Sequence, residues 1–305
     1  MYLKSIIICV LAYVIALFFS FSLVENISFS HIWLDILVAH LTATFVIFFF
    51  SSIYKNSSLY DPFWSVMPFF IFFYLVFNIE IDEYSTSRFL LIGIPITYYA
   101  IRLTWNWAKG WEGLNDEDFR YLNLYATFGN FKWFINLFGI HLFPTFMVNI
   151  CLFPLYYAIS INSEPLNLID WFFCFFAILA VLLEHISDEQ MHKFRSRQEN
   201  VSKTMKSGLW KYSRHPNYLG EILFWFGIFG FSLSQSLDNW WLIIFPLSML
   251  SMFAFASIPM MDNRSLEKRE DYLEYMKETP SLLPFKLLRK SVSYTHLTLP
   301  TIYSV

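Results

Sequence analysis

The stretch Tyr212–Glu221, YSRHPNYLGE, is followed directly by Ile222–Leu233, ILFWFGIFGFSL. The first part brings together a guanidinium, an imidazole, an amide, phenols and a carboxylate. The second is an apolar run typical of a membrane helix. Polar groups at the start of a membrane helix are costly to bury unless they have partners. The junction therefore predicts a helical membrane protein with a site for a polar ligand at the membrane surface.

The composition also indicates a membrane protein. Of the 305 residues, 56% are hydrophobic, 21% are aromatic and only 15% are charged, whereas a soluble domain carries about a quarter charged residues. The mean hydropathy is +0.46. A formal net charge of −3 gives no indication of a nucleic-acid partner. Cys9, Cys151 and Cys174 lie in apolar runs, and their spacing suits neither a metal site nor a disulfide framework.

Eight apolar segments are long enough to cross a bilayer, which takes about 20 residues of α-helix. They are Ser5–Val24, Ile32–Ile53, Pro62–Ile79, Arg88–Trp107, Lys132–Ile161, Leu168–His185, Tyr218–Ser234 and Trp240–Met261. The fifth contains Gly139 and Pro144, so we expect it to be kinked or broken. The first has no small-residue cleavage pattern, and we expect a membrane helix there rather than a removed signal peptide. The predicted fold class is an all-α, polytopic transmembrane helix bundle.

The distribution of charge predicts the orientation of the bundle. Lysines and arginines collect between the sixth and seventh segments and after the eighth, whereas acids collect in the alternating loops. The cations are Lys193, Arg195, Arg197, Lys203, Lys206, Lys211, Arg214, Arg264, Lys268, Arg269, Lys277, Lys286, Arg289 and Lys290, and the acids are Glu25, Glu80, Asp82, Glu83, Glu164 and Asp238. By the positive-inside rule, both termini and the large loops are cytoplasmic. A bacterial inner membrane and an endoplasmic reticulum membrane both fit this pattern.

We expect a single membrane domain over residues 1–290. The tail Ser293–Val305, SYTHLTLPTIYSV, has no charged residue and alternates threonine with other residues. It resembles translated adapter sequence more than a natural terminus. We therefore predict a non-native tail and base no functional interpretation on it.

Two polar stripes lie inside the apolar segments. Tyr99, Arg102 and Asn106 share a face of the fourth segment, and Glu184 and Asp188 share a face of the sixth. Ionisable groups at membrane depth are candidates for function. The helical spacing of glutamate and histidine that builds carboxylate metal sites is absent, so no metal is expected. A solvated helix end and arginine snorkelling are the alternative explanations.

Two further stripes flank the polar junction. Asn217, Glu221 and Trp225 recur every four residues after Pro216, and Arg264, Lys268 and Tyr272 do the same near the C-terminal end. Cations beside an amide and a carboxylate suit a phosphate-bearing nucleotide. A basic patch for anionic membrane lipids is the alternative. Asp61, which precedes Pro62, is either a functional carboxylate or a helix N-cap.

These motifs resemble the steroid 5α-reductase-like family, especially its bacterial membrane branch, over Tyr60–Phe285. The RHPxY half of the junction is shared with isoprenylcysteine carboxyl methyltransferases and sterol reductases. Asn217 with Gly220 and Glu221 favours the NADPH-dependent reductases. The resemblance implies an oxidoreductase that uses NADPH to reduce a carbon–carbon double bond conjugated to a carbonyl. Its substrate would be a steroid-like, isoprenoid or lipid molecule that enters from the bilayer.

The resemblance also implies roles for individual residues. It places the cofactor against Arg102, Asp188, Arg214, His215, Asn217, Tyr218, Glu221, Trp225, Arg264, Lys268 and Tyr272. Asn217 and Glu221 would meet the nicotinamide, and Lys268 stands where the steroid enzymes have histidine. Tyr99 matches the phenol that polarises the substrate ketone, and Asp61 is the nearest candidate for its carboxylate partner.

Two other functions compete with the reductase. One is a methyltransferase of the isoprenylcysteine or phospholipid type, which would hold S-adenosylmethionine in the same place. The other is a transporter or lipid-binding scaffold. The transporter is disfavoured because the polar groups concentrate on the cytoplasmic side rather than in paired broken helices at mid-membrane.

Overall fold

The computed structural model of this protein describes residues 2–27, 29, 31–79, 85–161 and 165–284. Of the described residues 84% are helical and none is in a strand, which confirms the all-α fold. The acids Glu80, Asp82, Glu83 and Glu164, the cations Lys286, Arg289 and Lys290 and the tail Ser293–Val305 lie outside the described residues.

Thirteen α-helices occur in the described ranges. They are α1 (Tyr2–Asn26), α2 (Ile32–Tyr54), α3 (Phe63–Phe77), α4 (Ser85–Gly110), α5 (Phe119–Phe128), α6 (Lys132–Phe134), α7 (Phe143–Cys151), α8 (Phe153–Tyr156), α9 (Leu168–Arg195), α10 (Pro216–Gln235), α11 (Ile244–Met252), α12 (Ile258–Lys268) and α13 (Tyr272–Glu278). Short 3₁₀ and π-helical turns join several of them into longer segments.

Six helical segments are long and apolar enough to cross a membrane, which establishes a multi-pass membrane protein. They are Tyr2–Asn26, Ile32–Tyr54, Ser57–Phe77, Phe119–Ile159, Leu168–Arg195 and Leu237–Lys268. Eight were expected. The two remaining expected segments form helices α4 and α10, but neither is among the six. Both carry the polar side chains of the candidate site, such as Arg102 and Glu221, and these lower their hydropathy.

Helix α10 is the central helix of the bundle. Most of its residues are buried, and it packs more extensively on α9 than on any other described element. Small residues allow this approach: a Cβ added at Gly220 would lie 2.7 Å from the backbone oxygen of Ala180, and one at Gly227 would lie 2.8 Å from the Cβ of Ala177. Close contact of small residues is a common way to join membrane helices. It sets the first turns of α10 against the last turns of α9.

The predicted break in the fifth apolar segment is confirmed. A π-helical stretch, Ile135–Leu142, precedes α7, which ends before Leu152, and a second π-helical stretch, Tyr157–Ile161, follows α8. Pro144 and Pro154 each occupy the first turn of a short helix, where the missing N–H costs nothing. The segment is therefore interrupted rather than one regular α-helix, and its last part, α8 with the second π-helical stretch, packs on α10.

Candidate functional site

Three helices bring the predicted polar stripes together. Helix α4 contributes Tyr99, and α10 contributes Glu221. The phenol of Tyr99 donates a 2.7 Å hydrogen bond to Oε1 of Glu221. Tyr99 is 0% exposed and Glu221 is 5% exposed. The pair therefore lies in an environment of low dielectric constant, where such a bond is electrostatically stronger than in water.

Aromatic rings hold this pair in place. Trp225 donates a second hydrogen bond of 2.8 Å to the same Oε1 of Glu221. The ring of Phe224 stacks on that of Tyr99, with centroids 4.1 Å apart and planes nearly parallel. Both neighbours are fully buried. The carboxylate and the phenol therefore have fixed orientations.

Arg102 connects α4 to α9. Its guanidinium lies 2.7 Å from Oε1 of Glu184 and forms a second, short ion pair with Oδ2 of Asp188. Arg102 is only 4% exposed, so it does not snorkel to water. The side-chain amide of Asn106 also donates to Oδ2 of Asp188, and that of Asn217 donates to Oδ1. Asp188 thus joins α4, α9 and α10 at one point.

Four buried atoms of this cluster form no hydrogen bond within the described part of the chain: Nε and Nη1 of Arg102, Oε2 of Glu184 and Oδ1 of Asn217. Of these, Nη1 of Arg102 still forms the ion pair with Glu184. A buried polar atom without a hydrogen bond costs about 1–3 kcal/mol. Asn217 also lines a cavity. Its carbonyl oxygen is itself buried, so a donor group of a bound molecule, such as a carboxamide, could reach it only after a small movement of the side chain.

A cavity of about 170 Å³ lies beside the cluster, between the ends of α9 and α10 and the helices α12 and α13. It is lined by polar, aromatic and cationic residues, namely Asp188, Met191, Arg195, Thr204, Met205, Trp210, Arg214, His215, Asn217, Tyr218, Met261, Ser265, Arg269, Tyr272 and Tyr275. Arg195 and Arg269 are close enough to repel each other. Neither forms an ion pair with any described acid. The cavity therefore offers positive charge to an anionic ligand.

The cavity is large enough for one end of a phosphate-bearing nucleotide but not for a whole dinucleotide. Pockets that enclose a drug-sized ligand measure roughly 300–1,000 Å³, which exceeds the 170 Å³ present here. The free acceptor of Asn217 and the cations of Arg195 and Arg269 suit an amide donor and a phosphate. A complete dinucleotide would need the covering helices α12 and α13 to move, or would extend along the surface.

Four of the predicted contact residues meet at the cavity wall. Asp262 of α12 accepts from Arg214 at 2.7 Å, bonds His215 at 2.9 Å and accepts from the phenol of Tyr272 at 2.5 Å. The ring of Tyr218 stacks on that of His215. Arg214 and His215 are therefore held by a carboxylate rather than left free for a ligand. We call Arg214, His215, Asp262 and Tyr272 the clasp.

The backbone reinforces the clasp. The amides of Arg214 and His215 donate to the carbonyls of Pro280 and Ser281, and the Arg214 guanidinium donates to the Thr279 carbonyl. Burial, together with the bond to Asp262, raises the pKa of the Tyr272 phenol. The last described segment of the chain thus closes over the RHPNY junction.

The expected pairing of Tyr99 with Asp61 does not form among the described residues. Asp61 precedes α3, and its carboxylate accepts from the phenol of Tyr121 at 2.5 Å. Tyr99 lies about three helical turns before the end of α4. At that position its phenol donates a hydrogen bond to Glu221 instead. The resemblance implied a carboxylate partner for Tyr99 with Asp61 as the nearest candidate, but in the structure the partner is Glu221, and Asp61 pairs with Tyr121. A catalytic role for Asp61 stays a prediction.

The three residues of the C-terminal stripe, Arg264, Lys268 and Tyr272, lie in different surroundings. The guanidinium of Arg264 lies over the ring of Phe119 at 3.1 Å from its centroid, a cation–π contact between α12 and α5. Lys268 is exposed, whereas Tyr272 belongs to the clasp. Of the three, the structure brings only Tyr272 to the cavity.

Several residues of the site were not among the predicted ones. Arg195 and Arg269 line the cavity, Glu184 pairs with Arg102, and Asp262 organises the clasp. Glu184 was visible as a member of the α9 stripe. Asp262 precedes Arg264 by two residues, which puts it on another face of its helix. Two of its three partners, Arg214 and His215, are 48 and 47 residues away in sequence, so no local spacing could reveal these contacts.

Comparison with known proteins gives a family but no activity. Residues 47–279 match the family described as "Protein of unknown function (DUF1295)". An uncharacterized protein of Schizosaccharomyces pombe is 27% identical over 260 residues, which cover 75% of this chain and 73% of the yeast protein. No solved structure matches the chain. Because the family match includes α4, α9, α10 and the clasp, the chain is a member of the DUF1295 family.

Proposed function

We propose that this protein is a membrane-embedded reductase that uses NADPH to reduce a carbon–carbon double bond conjugated to a carbonyl in a lipophilic substrate. The observation that carries the proposal is the buried Tyr99–Glu221 hydrogen bond beside an arginine-lined cavity. A phenol fixed in a dry pocket is suited to donate to an oxygen that gains negative charge during a reaction. The resemblance to steroid 5α-reductase-like proteins agrees with this chemistry.

NADPH would supply the hydride, and the protein's own residues would bind the cofactor, orient the substrate and exclude water. Asn217 offers a free carbonyl oxygen to the carboxamide of the nicotinamide. Arg195 and Arg269 offer charge to the phosphates. On substrate binding the single O–H of Tyr99 would turn from Glu221 to the substrate carbonyl, and Glu221 would keep the hydrogen bond that it accepts from Trp225. The apolar bundle excludes water from the reacting atoms.

The charge of the cavity favours NADPH over S-adenosylmethionine. S-adenosylmethionine carries a positive sulfonium and no phosphate, so Arg195 and Arg269 would repel it. A dinucleotide carries several phosphate charges, which these guanidinium groups can bind. A binding experiment must therefore include S-adenosylmethionine, because its binding would support the alternative function, a methyltransferase.

The proposal includes an orientation. Helices α4 and α10 occupy two of the eight expected spans, and we propose that both cross the bilayer inside the shell of the six more apolar segments. With eight crossings both termini, the cavity and the clasp face the cytoplasm, where NADPH is available. The membrane would be a bacterial inner membrane or that of the endoplasmic reticulum.

Ligand binding to the purified protein in dodecyl maltoside tests the proposal. We expect saturable binding of NADPH and none of S-adenosylmethionine. Binding of S-adenosylmethionine alone would overturn the reductase and support the methyltransferase. The substrate class can then be sought by incubating the protein with NADPH and fractionated lipid extracts and following the loss of NADPH absorbance.

A further inference from the structure

A second and larger cavity lies far from the candidate site. It measures about 920 Å³ and is formed by the end of α1, the start of α2 and the end of α3. Its volume falls in the range of ligand pockets, roughly 300–1,000 Å³. The cavity shares no residue with the arginine-lined one, so the proposed reductase chemistry does not account for it.

Aromatic rings form most of the cavity wall. Seven of its twelve lining residues are phenylalanine or tyrosine. Phe69, Phe73 and Phe77 follow each other at intervals of four residues along α3, and successive rings lie 4.6 Å and 6.1 Å apart. This row of rings extends about 12 Å along the helix. It can cover an apolar chain of that length.

Carboxylates occupy the end of the cavity where α1 finishes and α2 begins. Glu25 lies in the last turn of α1 and is exposed, whereas Asp35 lies in the first turn of α2 and is only 7% exposed. Oδ1 of Asp35 accepts a 2.9 Å hydrogen bond from the amide of Phe29. Asp35 forms no ion pair with any described residue, and His31, one turn earlier, is exposed and does not line the cavity.

The combination identifies a class of ligand. The carboxylate of Asp35, in the first turn of α2, is held by the Phe29 amide, and its negative charge would attract an ammonium group in the cavity. Aromatic faces also attract ammonium groups. None of the described lining residues is lysine, arginine or histidine, so among them a phosphate would find two carboxylates and no counter-charge. We propose that this cavity binds an amphiphilic amine, which has one ammonium head, an apolar tail and no phosphate.

Native mass spectrometry of the protein released from dodecyl maltoside micelles can count the bound amine. The probe is octadecylamine. Octadecanol has the same tail without the ammonium group, and butylamine has the ammonium group with a short tail, so the two serve as matched controls. We expect one saturable octadecylamine and no comparable binding of either control. Phosphatidylethanolamine should not displace the probe. Equal binding of octadecanol, or displacement by phosphatidylethanolamine, would overturn the proposal.

Two substitutions locate the site. Asp35→Asn removes the charge and keeps an oxygen for the Phe29 amide, and we expect it to weaken octadecylamine binding about tenfold or more. Phe77→Leu removes a ring that is 79% exposed, with little risk to folding, and should weaken binding severalfold. Asp238→Asn, an exposed aspartate outside the cavity, is the control. Unchanged affinity in both lining variants, with unfolding temperatures like that of the control, would sink the idea.

Discussion

Tyr99 and Glu221 are 122 residues apart in sequence, yet the phenol of one donates to the carboxylate of the other at 2.7 Å inside the bundle. The bond links α4 to the central helix α10. It gives the protein a buried phenol with a fixed orientation, which is the feature that the proposed chemistry requires. Its strength can be measured without knowledge of the substrate.

Tyr99→Phe should lower the free energy of unfolding by about 1–3 kcal/mol, because Glu221 loses one of two donors in a buried place. The neighbouring Tyr98→Phe is the control, since Tyr98 is partly exposed and bonds His185. It should cost less than about 1 kcal/mol. Unfolding in mixed detergent and sodium dodecyl sulfate micelles measures both values. Equal losses of unfolding free energy would show that the Tyr99–Glu221 hydrogen bond stabilises the protein no more than the partly exposed Tyr98–His185 bond does.

Arg102→Met should be more damaging, because it leaves Glu184 and Asp188 without their cation. Removing one partner of a buried ion pair costs about 3–5 kcal/mol. Arg197→Met is the control, since Arg197 and Glu199 are both exposed and 3.9 Å apart. A surface pair of this kind contributes about 0–1 kcal/mol. The same unfolding assay measures both variants. A loss of less than about 1 kcal/mol in Arg102→Met would contradict the described ion pairs.

Asn217→Ala should weaken NADPH binding about tenfold or more, because a hydrogen-bonding side chain is lost from the cavity wall. Asn123→Ala, on the exposed surface of α5, should leave the affinity unchanged. Calorimetric titration with NADPH gives both dissociation constants. Wild-type affinity in Asn217→Ala would remove this residue from the proposed cofactor site while leaving the rest of the cavity open to test.

The clasp should loosen in alkaline solution. The ordinary pKa of tyrosine is about 10, and in the folded protein the pKa of Tyr272 is raised. A raised pKa contributes stability that is present below about pH 10 and is lost as the pH rises above it. The difference in unfolding temperature between wild type and Tyr272→Phe should therefore be constant up to about pH 9 and narrow above pH 10.

Tyr212→Phe serves as the control for this titration, because Tyr212 is 59% exposed. Its unfolding temperature should follow that of the wild type across the same pH range. A constant difference for Tyr272→Phe at every pH would show that the phenol contributes nothing through its proton.

Gly220→Ala should separate α9 from α10, because the new methyl group would meet the backbone oxygen of Ala180 at 2.7 Å. We expect a loss of about 1–3 kcal/mol, the usual cost of overpacking. Gly139→Ala is the control, since its Cβ would meet no atom closer than 3.7 Å. That change should be neutral or stabilising by up to about 1 kcal/mol. Equal effects at the two glycines would contradict the close helix contact.

Helical spacing alone predicted much of the candidate site. Tyr99, Arg102 and Asn106 do share a face of α4, and Glu184 and Asp188 share a face of α9. Periodicity places side chains on a face but carries no information on the depth at which two helices meet. The resemblance to a family supplied the roles of Asp61 and Glu221, and neither it nor the periodicity showed that Glu221 would meet Tyr99.

Contacts between distant segments could not be predicted in the same way. Asp262 reaches Arg214, His215 and Tyr272 only because α12 folds back over the RHPNY junction. Similarly, hydropathy marks six segments clearly but is lower in α4 and α10, which contact each other through polar side chains such as Tyr99 and Glu221. A polar helix in a membrane protein is acceptable when its neighbours satisfy it.

The clasp also imposes an order on the synthesis of the protein. Arg214 is bound by the carbonyl of Thr279, which the ribosome adds 65 residues later. The other members of the clasp, Asp262 and Tyr272, also follow Arg214 in the chain, so the RHPNY junction lacks them although α4, α9 and α10 have all been made. A chain that stops before Asp262 would therefore contain these helices but leave Arg214 and His215 without their carboxylate partner.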